Sequence, residues 1–186
     1  MLAFSHYQAG LPYAEFLTRY GSPAHQSRWK SVLDTVPLTP EQTEILQSFK
    51  RRLPVLVLAG AWCGDCAGQC PIFERFAQVQ PLIEARYLDR DEHAEVQELL
   101  KINGGNRVPV AVFFSEDGME VSRYGERTLG RYRQLMREQI GEGCATGIMK
   151  ANDPVQVQVV HDWLNEFERA QYILRLSPRL RQKHND

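Results

Sequence analysis

The segment Val55-Leu56-Val57-Leu58-Ala59-Gly60-Ala61-Trp62-Cys63-Gly64-Asp65-Cys66 decides the fold. Its first four residues form an unbroken apolar run, which is typical of a strand buried on both faces of a sheet. Two cysteines with two residues between them follow at the point where a helix should begin and run to about Gln78. The segment therefore predicts a central strand, a turn, and a helix whose first turn carries both thiols.

The start of a helix favours reactive cysteines. Its first turn presents unpaired backbone N–H groups and a partial positive charge. Both stabilise a thiolate, which is the reactive form of cysteine. We expect Cys63 to be the more exposed thiol, because the chain has just left the sheet there, and Cys66 to lie one turn deeper. At this spacing the two thiols can close one disulfide.

The rest of the central region predicts further strands and helices. Together with the first strand and helix they give the order β-α-β-α-β-β-α from Leu53 to about Gly141. We therefore expect an α/β fold with a central mixed sheet flanked by helices. A hairpin turn is indicated at residues 116–118, where Glu-Asp-Gly stands. The predicted ranges are 85–88, 110–114 and 120–124 for strands and 92–102 for a helix.

Two helices of this region should turn apolar side chains into the core. In the helix over 92–102, we expect Val96, Leu99 and Leu100 to point inward. Thr128 should cap a last core helix, whose apolar residues are Leu129, Tyr132, Leu135, Met136 and Ile140.

Both ends of the chain predict helices. Residues 1–52 are interpreted as a helical N-terminal extension, and residues 142–186 as a C-terminal one, with the central domain over 53–141 between them. Within the first extension, Thr39 and Gln42 should form a capping box at the start of a helix.

The C-terminal extension should contain one long helix. Its apolar stripe runs from Val155 to Leu174, which is long enough to cover the domain or to contact a second chain in a homodimer. We favour docking within the chain. The polar tail after Arg179 is expected to be loose.

Three further positions indicate a specific family. Pro71 lies in the helix after the cysteines, Pro109 precedes a strand, and Gly125 follows the last hairpin. With Trp62 and the two cysteines, these residues resemble the thioredoxin family over roughly residues 53–141. That family combines Trp-Cys-x-x-Cys at a strand-to-helix turn with a kink proline, a cis-proline beside the thiols and a glycine after the hairpin.

The resemblance implies thiol–disulfide exchange on protein substrates. Cys63 would attack a substrate disulfide, and Cys66 would then release the reduced product. No cofactor is expected, and the sequence does not identify the electron donor. A thioredoxin-like binding module with little turnover is the alternative function. The substrate groove would be formed by Trp62, Gly64, Asp65, Val108, Pro109 and Gly125.

Two positions depart from the family pattern. Thioredoxins usually have a buried aspartate six residues before the first cysteine, where this chain has Val57. The second departure is Asp65, which replaces a proline. A carboxylate so close to the thiols should oppose thiolate formation by like-charge repulsion. Both departures predict slower exchange.

The remaining cysteines leave a metal site open as an alternative. Cys63, Cys66 and Cys70 offer three sulfurs, but a structural zinc site needs four ligands and no histidine stands nearby. We therefore favour redox chemistry and expect no metal. Cys70 is interpreted as a small buried residue, and Cys144 as a bystander.

Composition and charge exclude some partners. The 186 residues carry a formal net charge of -1, so no general attraction to nucleic acid or to acidic membranes is expected. The N-terminal residues lack the basic start and apolar run of a signal peptide. These features predict a cytoplasmic location.

Overall fold

A four-stranded mixed sheet forms the centre of the protein in the computed structural model, which describes residues 2–140 and 155–186. The strands are β1 (Leu53–Ala59), β2 (Ile83–Asp89), β3 (Val110–Phe114) and β4 (Glu120–Gly125). Their spatial order is β2-β1-β3-β4. β1 is parallel to β2 and antiparallel to β3, and β3 is antiparallel to β4. The predicted α/β fold with a central mixed sheet is confirmed, and so is the predicted order of strands and helices along the chain.

Helices surround the sheet. They are α1 (Phe4–Ala9), α2 (Tyr13–Tyr20), α3 (Pro23–Thr35), α4 (Pro40–Gln47), α5 (Gly64–Val79), α6 (Ala94–Leu99), α7 (Leu129–Gln139), α8 (Val155–Leu176) and α9 (Pro178–His184). The capping box predicted for α4 is present. The Thr39 hydroxyl accepts the Gln42 N–H at 3.2 Å, and the Gln42 side-chain oxygen accepts the Thr39 N–H at 2.9 Å.

Both faces of the sheet are covered. All seven residues of β1 are buried, as its apolar run predicts. Side chains alternate along β3, so Phe113 and Phe114 point to opposite faces. Phe113 contacts Phe167 of α8, with ring centroids 5.0 Å apart. Phe114 contacts Phe4 of α1 at 5.5 Å. The first and the eighth helix therefore lie on opposite sides of the central strands.

The N-terminal helices are joined to the sheet by hydrogen bonds. Leu11 exchanges two backbone hydrogen bonds with Tyr87 of β2, at 2.8 and 2.9 Å. Trp29 of α3 is fully buried and donates its indole N–H to the carbonyl of Ala61 at 2.9 Å. The segment that precedes the cysteines is therefore held by a helix from the N-terminal region.

α8 docks within the chain, as we favoured. It packs against α5, α7 and β4. The buried Gln171 side chain binds the backbone just before β1. It accepts the N–H groups of Lys50 and Arg51 at 3.2 and 2.7 Å and donates to the Arg51 carbonyl at 3.0 Å. The buried apolar residues of α8 are Val159, Val160, Trp163, Leu164, Phe167, Ala170 and Leu174.

The prediction of a last core helix was wrong. α7 forms and is capped by Thr128 as expected, but it packs on α8 rather than deep in the core, and Gly130 is its one buried residue. Leu99 of α6 was also expected inward and is exposed. On α7, the apolar side chains that remain exposed are Leu129, Tyr132, Met136 and Ile140.

The tail after Arg179 is not loose. It forms α9, whose Leu180 is fully buried. Lys183 and His184 contact Glu116 in the β3–β4 turn at 2.5 and 2.9 Å. Local hydrophobic periodicity cannot predict ion pairs between residues so far apart in the chain.

Two sequence predictions are not tested by the part of the chain that the structure describes. Cys144 falls outside the described residues. The boundaries of the three proposed regions, at 52/53 and 141/142, remain predictions. None of the described helices combines the length and the apolar character needed to cross a membrane.

Candidate functional site

The two thiols lie at the junction of β1 and α5. Cys63 is the N-cap residue of α5 and is partly exposed, whereas Cys66 lies in the first turn and is fully buried. The Cys63 thiol donates to the Val108 carbonyl, with sulfur and oxygen 3.8 Å apart. The Gly60 N–H donates to the Cys66 sulfur at 3.5 Å. The expected difference in depth between the two cysteines is present.

The two thiols lie close enough for their ionisation to be coupled. The neighbouring Cys66 thiol, followed by partial burial, raises the pKa of Cys63, whereas the backbone N–H groups of Cys66 and Asp65 act in the opposite direction. Burial raises the pKa of Cys66 well above its usual range. Two adjacent thiolates repel, so the pair holds at most one negative charge. Solvent access and the two N–H donors favour placing it on Cys63.

Trp62 lies flat over the turn before the thiols and is 46% exposed. A Cβ atom on Gly60 would lie 2.9 Å from its ring, so only glycine allows this contact. The Arg90 guanidinium covers the ring, 4.6 Å from its centroid. The indole N–H donates to Asp91 at 3.2 Å. These contacts hold a broad apolar surface next to Cys63.

Val108, Pro109 and Gly125 meet on the other side of Cys63. The Val108–Pro109 peptide bond is cis, and so is the Gly125–Glu126 bond. Val110 pairs with Gly125 across β3 and β4. A Cβ atom on Gly125 would lie 2.4 Å from the Pro109 carbonyl oxygen, so glycine is required for this close approach.

Asp65 is not the bare carboxylate that the sequence suggested. Arg127 binds it, with nitrogen and oxygen 2.6 Å apart, and Arg131 lies 3.9 Å from its other oxygen. Arg127 also binds Glu126 at 3.1 Å. The expected repulsion between Asp65 and the thiolate is therefore opposed by a positive charge bound directly to the carboxylate.

Glu126 is a buried carboxylate beside this ion pair. Its side chain is 7% exposed and contacts Arg107 at 3.6 Å in addition to Arg127. Tyr132 of α7 donates its hydroxyl to the same carboxylate at 2.9 Å. Arg127 and Tyr132 therefore donate hydrogen bonds to this buried carboxylate, and Arg107 adds a second positive charge beside it.

Gln69 links this network to α8. Its amide nitrogen donates to the backbone carbonyl of Glu126 at 2.9 Å, and its oxygen accepts the indole N–H of Trp163 at 2.9 Å. A cavity of about 290 Å³ opens beside Gly64 and Asp65, between α5, α7 and α8. The C-terminal region therefore supports the dithiol helix and forms one wall of the cleft next to it.

Val57 and Cys70 lie behind the thiols, and neither of them supplies a carboxylate. Val57 is fully buried in β1, at the place where thioredoxins usually have an aspartate. Cys70 is also fully buried, as expected, and lies within hydrogen-bond reach of Cys66. In the part of the chain that the structure describes, no group of three His, Cys, Asp or Glu residues could hold a metal ion.

The structure brings all eight predicted site residues together. The sequence analysis missed several charged side chains that contact them. Arg107 and Glu126 each stand next to a motif residue in the chain, and Arg127 follows one residue later, so their positions were a usable signal. Nothing in the sequence indicated Arg28, whose guanidinium nitrogen lies 3.3 Å from the place of a Cβ atom on Gly64.

The fold and this dithiol define a thioredoxin-like protein. The family model described as Thioredoxin matches residues 10–138, so the chain belongs to this thioredoxin family. The match begins near Leu11, where the N-terminal region pairs with the sheet. No curated protein sequence matches the chain.

Two solved structures are similar in fold. A protein of unknown function from Pseudomonas aeruginosa has a TM-score of 0.70 and 16% identity, with 91% of this chain and 97% of that chain covered. An HIV epitope scaffold has a TM-score of 0.61 and 19% identity, with coverages of 90% and 92%. At these identities the likeness concerns the fold alone.

Proposed function

We propose that the protein is a thiol–disulfide oxidoreductase that reduces disulfides in other proteins through Cys63 and Cys66. One observation carries the proposal: a partly exposed thiol at a helix start lies beside a second, fully buried thiol in the first turn of the same helix. The outer sulfur can reach a partner, and the inner sulfur can reach only the outer one.

The reaction has two steps. The Cys63 thiolate attacks one sulfur of a substrate disulfide, forming a mixed disulfide and releasing the other substrate sulfur as a thiolate, which takes up a proton. Cys66 then loses its proton and attacks the Cys63 sulfur. The mixed disulfide breaks, the substrate leaves as a dithiol, and a Cys63–Cys66 disulfide remains. Two electrons pass to the substrate, and an external reductant must return them.

The groove around Cys63 would position the substrate. Trp62 and Gly125 would flank the bound substrate segment. Pro109 has no backbone N–H, so it cannot compete there for the acceptors of a bound segment. Gly64 and Asp65 border the adjacent cleft.

Cysteine substitutions test the assignment of the two roles. Cys63→Ser should abolish insulin reduction by dithiothreitol. Cys66→Ser should trap mixed disulfides, visible as protein adducts on a non-reducing gel, because the second step is blocked. Cys70→Ser is the matched control and should retain exchange. If Cys63→Ser traps adducts and Cys66→Ser does not, the roles are reversed.

A binding module with little turnover is the second candidate function. The specific observation is that both thiols have a raised pKa and that Val57 supplies no proton acceptor behind them. The insulin assay separates the two functions, since a binding module would retain partners in a pull-down but leave insulin oxidised.

The expected partners and location belong to the proposal. Protein disulfides are the substrates, and a cellular reductant of unidentified nature supplies the electrons in the cytoplasm. A homodimer through the terminal helices remains a prediction. Because the main stripe of α8 is used inside the chain, such a contact would have to use its exposed residues Tyr172, Ile173 and Leu176.

A further inference from the structure

Positive side chains outnumber negative ones around the dithiol. Five arginines contact the residues that surround Cys63. Their carboxylate partners near the thiols number only three in the part of the chain described, namely Asp65, Asp91 and Glu126. The arginines are Arg28 at Gly64, Arg90 over Trp62, Arg107 at Glu126, and Arg127 and Arg131 at Asp65.

The excess of positive charge is larger at the surface, because two of the carboxylates are more buried than the arginines Arg28 and Arg107. The carboxylates of Asp65 and Glu126 are 21% and 7% exposed, whereas the Arg107 side chain is 51% exposed. Arg28 is exposed, and over residues 2–140 and 155–186 it has no ion pair within 4 Å. An incoming partner therefore meets exposed guanidinium groups, while the carboxylates of Asp65 and Glu126 are largely buried.

The excess is confined to two sides of Cys63. At Trp62 the charge is balanced, because Arg90 binds the exposed carboxylate of Asp91 at 3.2 Å. Arg28 lies beside Gly64, the residue after Cys63 in the chain. Arg107 directly precedes Val108, whose carbonyl accepts the Cys63 thiol. A segment that crosses Cys63 would pass both arginines.

We propose that this surface selects disulfides flanked by acidic residues, with Arg28 and Arg107 as the specificity-determining side chains. The inference rests on the proposed function and names its substrate class. Guanidinium groups bind carboxylates through paired hydrogen bonds. A substrate whose disulfide is flanked by Lys has no carboxylate there to accept them. Exposed charges also accelerate encounter with oppositely charged partners, and salt screens this effect.

Two synthetic peptides provide the test. Both contain one disulfide, flanked by Asp and Glu in the first and by Lys in the second. Reduction of each by the pre-reduced wild-type protein is followed by stopped-flow fluorescence. At low salt the acidic peptide should react about tenfold faster, and 0.5 M salt should remove most of the preference.

Substitutions then assign the preference to the arginines. Arg28→Gln should lower the rate with the acidic peptide about threefold, and Arg28→Glu should invert the preference. Arg107→Gln should act similarly. Arg75→Gln, on the exposed far part of α5, is the matched control and should change nothing. The rate of alkylation by iodoacetamide, which is neutral, reports the thiolate fraction of each variant, so each peptide rate is divided by the alkylation rate of the same variant before the preferences are compared.

The outcomes separate this inference from the proposed function. Equal rates for both peptides with the wild type would overturn the charge preference and leave the oxidoreductase intact. A preference that Arg28→Gln and Arg107→Gln do not reduce would also overturn it. Absence of reaction with both peptides would overturn the two proposals together.

Discussion

At the scale of single residues, the pairing of Asp65 with Arg127 changes the electrostatics of the dithiol. In the sequence, a carboxylate between the two cysteines indicates repulsion of the Cys63 thiolate. In the structure, Arg127 binds that carboxylate at 2.6 Å and belongs to the segment that follows Gly125. The pKa of Cys63 should therefore depend on the pair as a unit, rather than on Asp65 alone.

A double-mutant cycle tests this coupling. Asp65→Asn should lower the pKa of Cys63, because it removes a negative charge and leaves the Arg127 charge uncompensated. Arg127→Gln should raise the pKa, because it leaves Asp65 unpaired. Each shift should be on the order of one pH unit or less, and the double variant should return close to the wild type. The measurement is the pH dependence of iodoacetamide alkylation of the reduced protein.

The control for this cycle is Arg123→Gln on β4. Arg123 forms an ion pair with Glu120, which lies on the same strand. Its removal changes the net charge equally but should leave the alkylation profile unchanged. If both single substitutions shift the pKa in the same direction, or if Arg127→Gln leaves it unchanged, Arg127 does not compensate the charge of Asp65 at Cys63.

At the scale of elements, the Gln171 side chain supplies hydrogen-bond partners for the backbone just before β1. Its amide satisfies two N–H groups and one carbonyl of residues 50 and 51. Gln171→Leu keeps a similar shape but leaves these buried groups without partners. We expect the free energy of unfolding to fall by roughly 2–4 kcal/mol.

Chemical denaturation in urea measures that loss. Gln182→Leu on the exposed face of α9 is the matched control and should change stability by less than about 0.5 kcal/mol. An equal effect of the two substitutions would show that the Gln171 hydrogen bonds contribute little to stability.

Elements with strong local signals could be predicted, and elements defined by distant contacts could not. The apolar run of β1 and the capping box of α4 depend on neighbouring residues, and both predictions were confirmed. α7 shows the same apolar spacing as a core helix, yet its neighbour is α8, so much of its apolar face remains exposed. Hydrophobic periodicity identifies the apolar face of a helix, but it does not identify the element that packs against that face.

The candidate site shows the same limit. Cys63, Cys66 and the residues around them could be predicted because they belong to a family motif with a fixed spacing. Arg28 reaches Gly64 from α3, and Tyr132 reaches Glu126 from α7. Such contacts depend on how helices cross, which a single sequence does not record.

At the scale of the whole molecule, burial of Cys66 links stability to pH. Burial raises the pKa of this thiol, so the folded protein keeps a proton that the unfolded chain loses near pH 8.5. Stability from this group is fully present below that pH and declines as the pH rises above it. The reduced wild type should therefore lose stability between pH 8.5 and 9.5 more steeply than Cys66→Ala, by up to about 1.4 kcal/mol per pH unit.

Urea melts in the presence of a phosphine reductant give these slopes. Between pH 6.5 and 7.5 both proteins should show the same slope, because the thiol is protonated in both states, and this range is the internal control. Parallel curves up to pH 9.5 would mean that Cys66 ionises as readily in the folded state as in the unfolded chain.

The indole hydrogen bonds of Trp29 and Trp163 set an order of events during protein synthesis. Trp29 stands 32 residues before Ala61, so it has already been made when the cysteines leave the ribosome. Trp163 stands 94 residues after Gln69, so its hydrogen bond cannot form until that much more of the chain has been translated. A nascent chain therefore carries both thiols on a helix supported from one side only, and the second support is added only after Trp163 has left the ribosome.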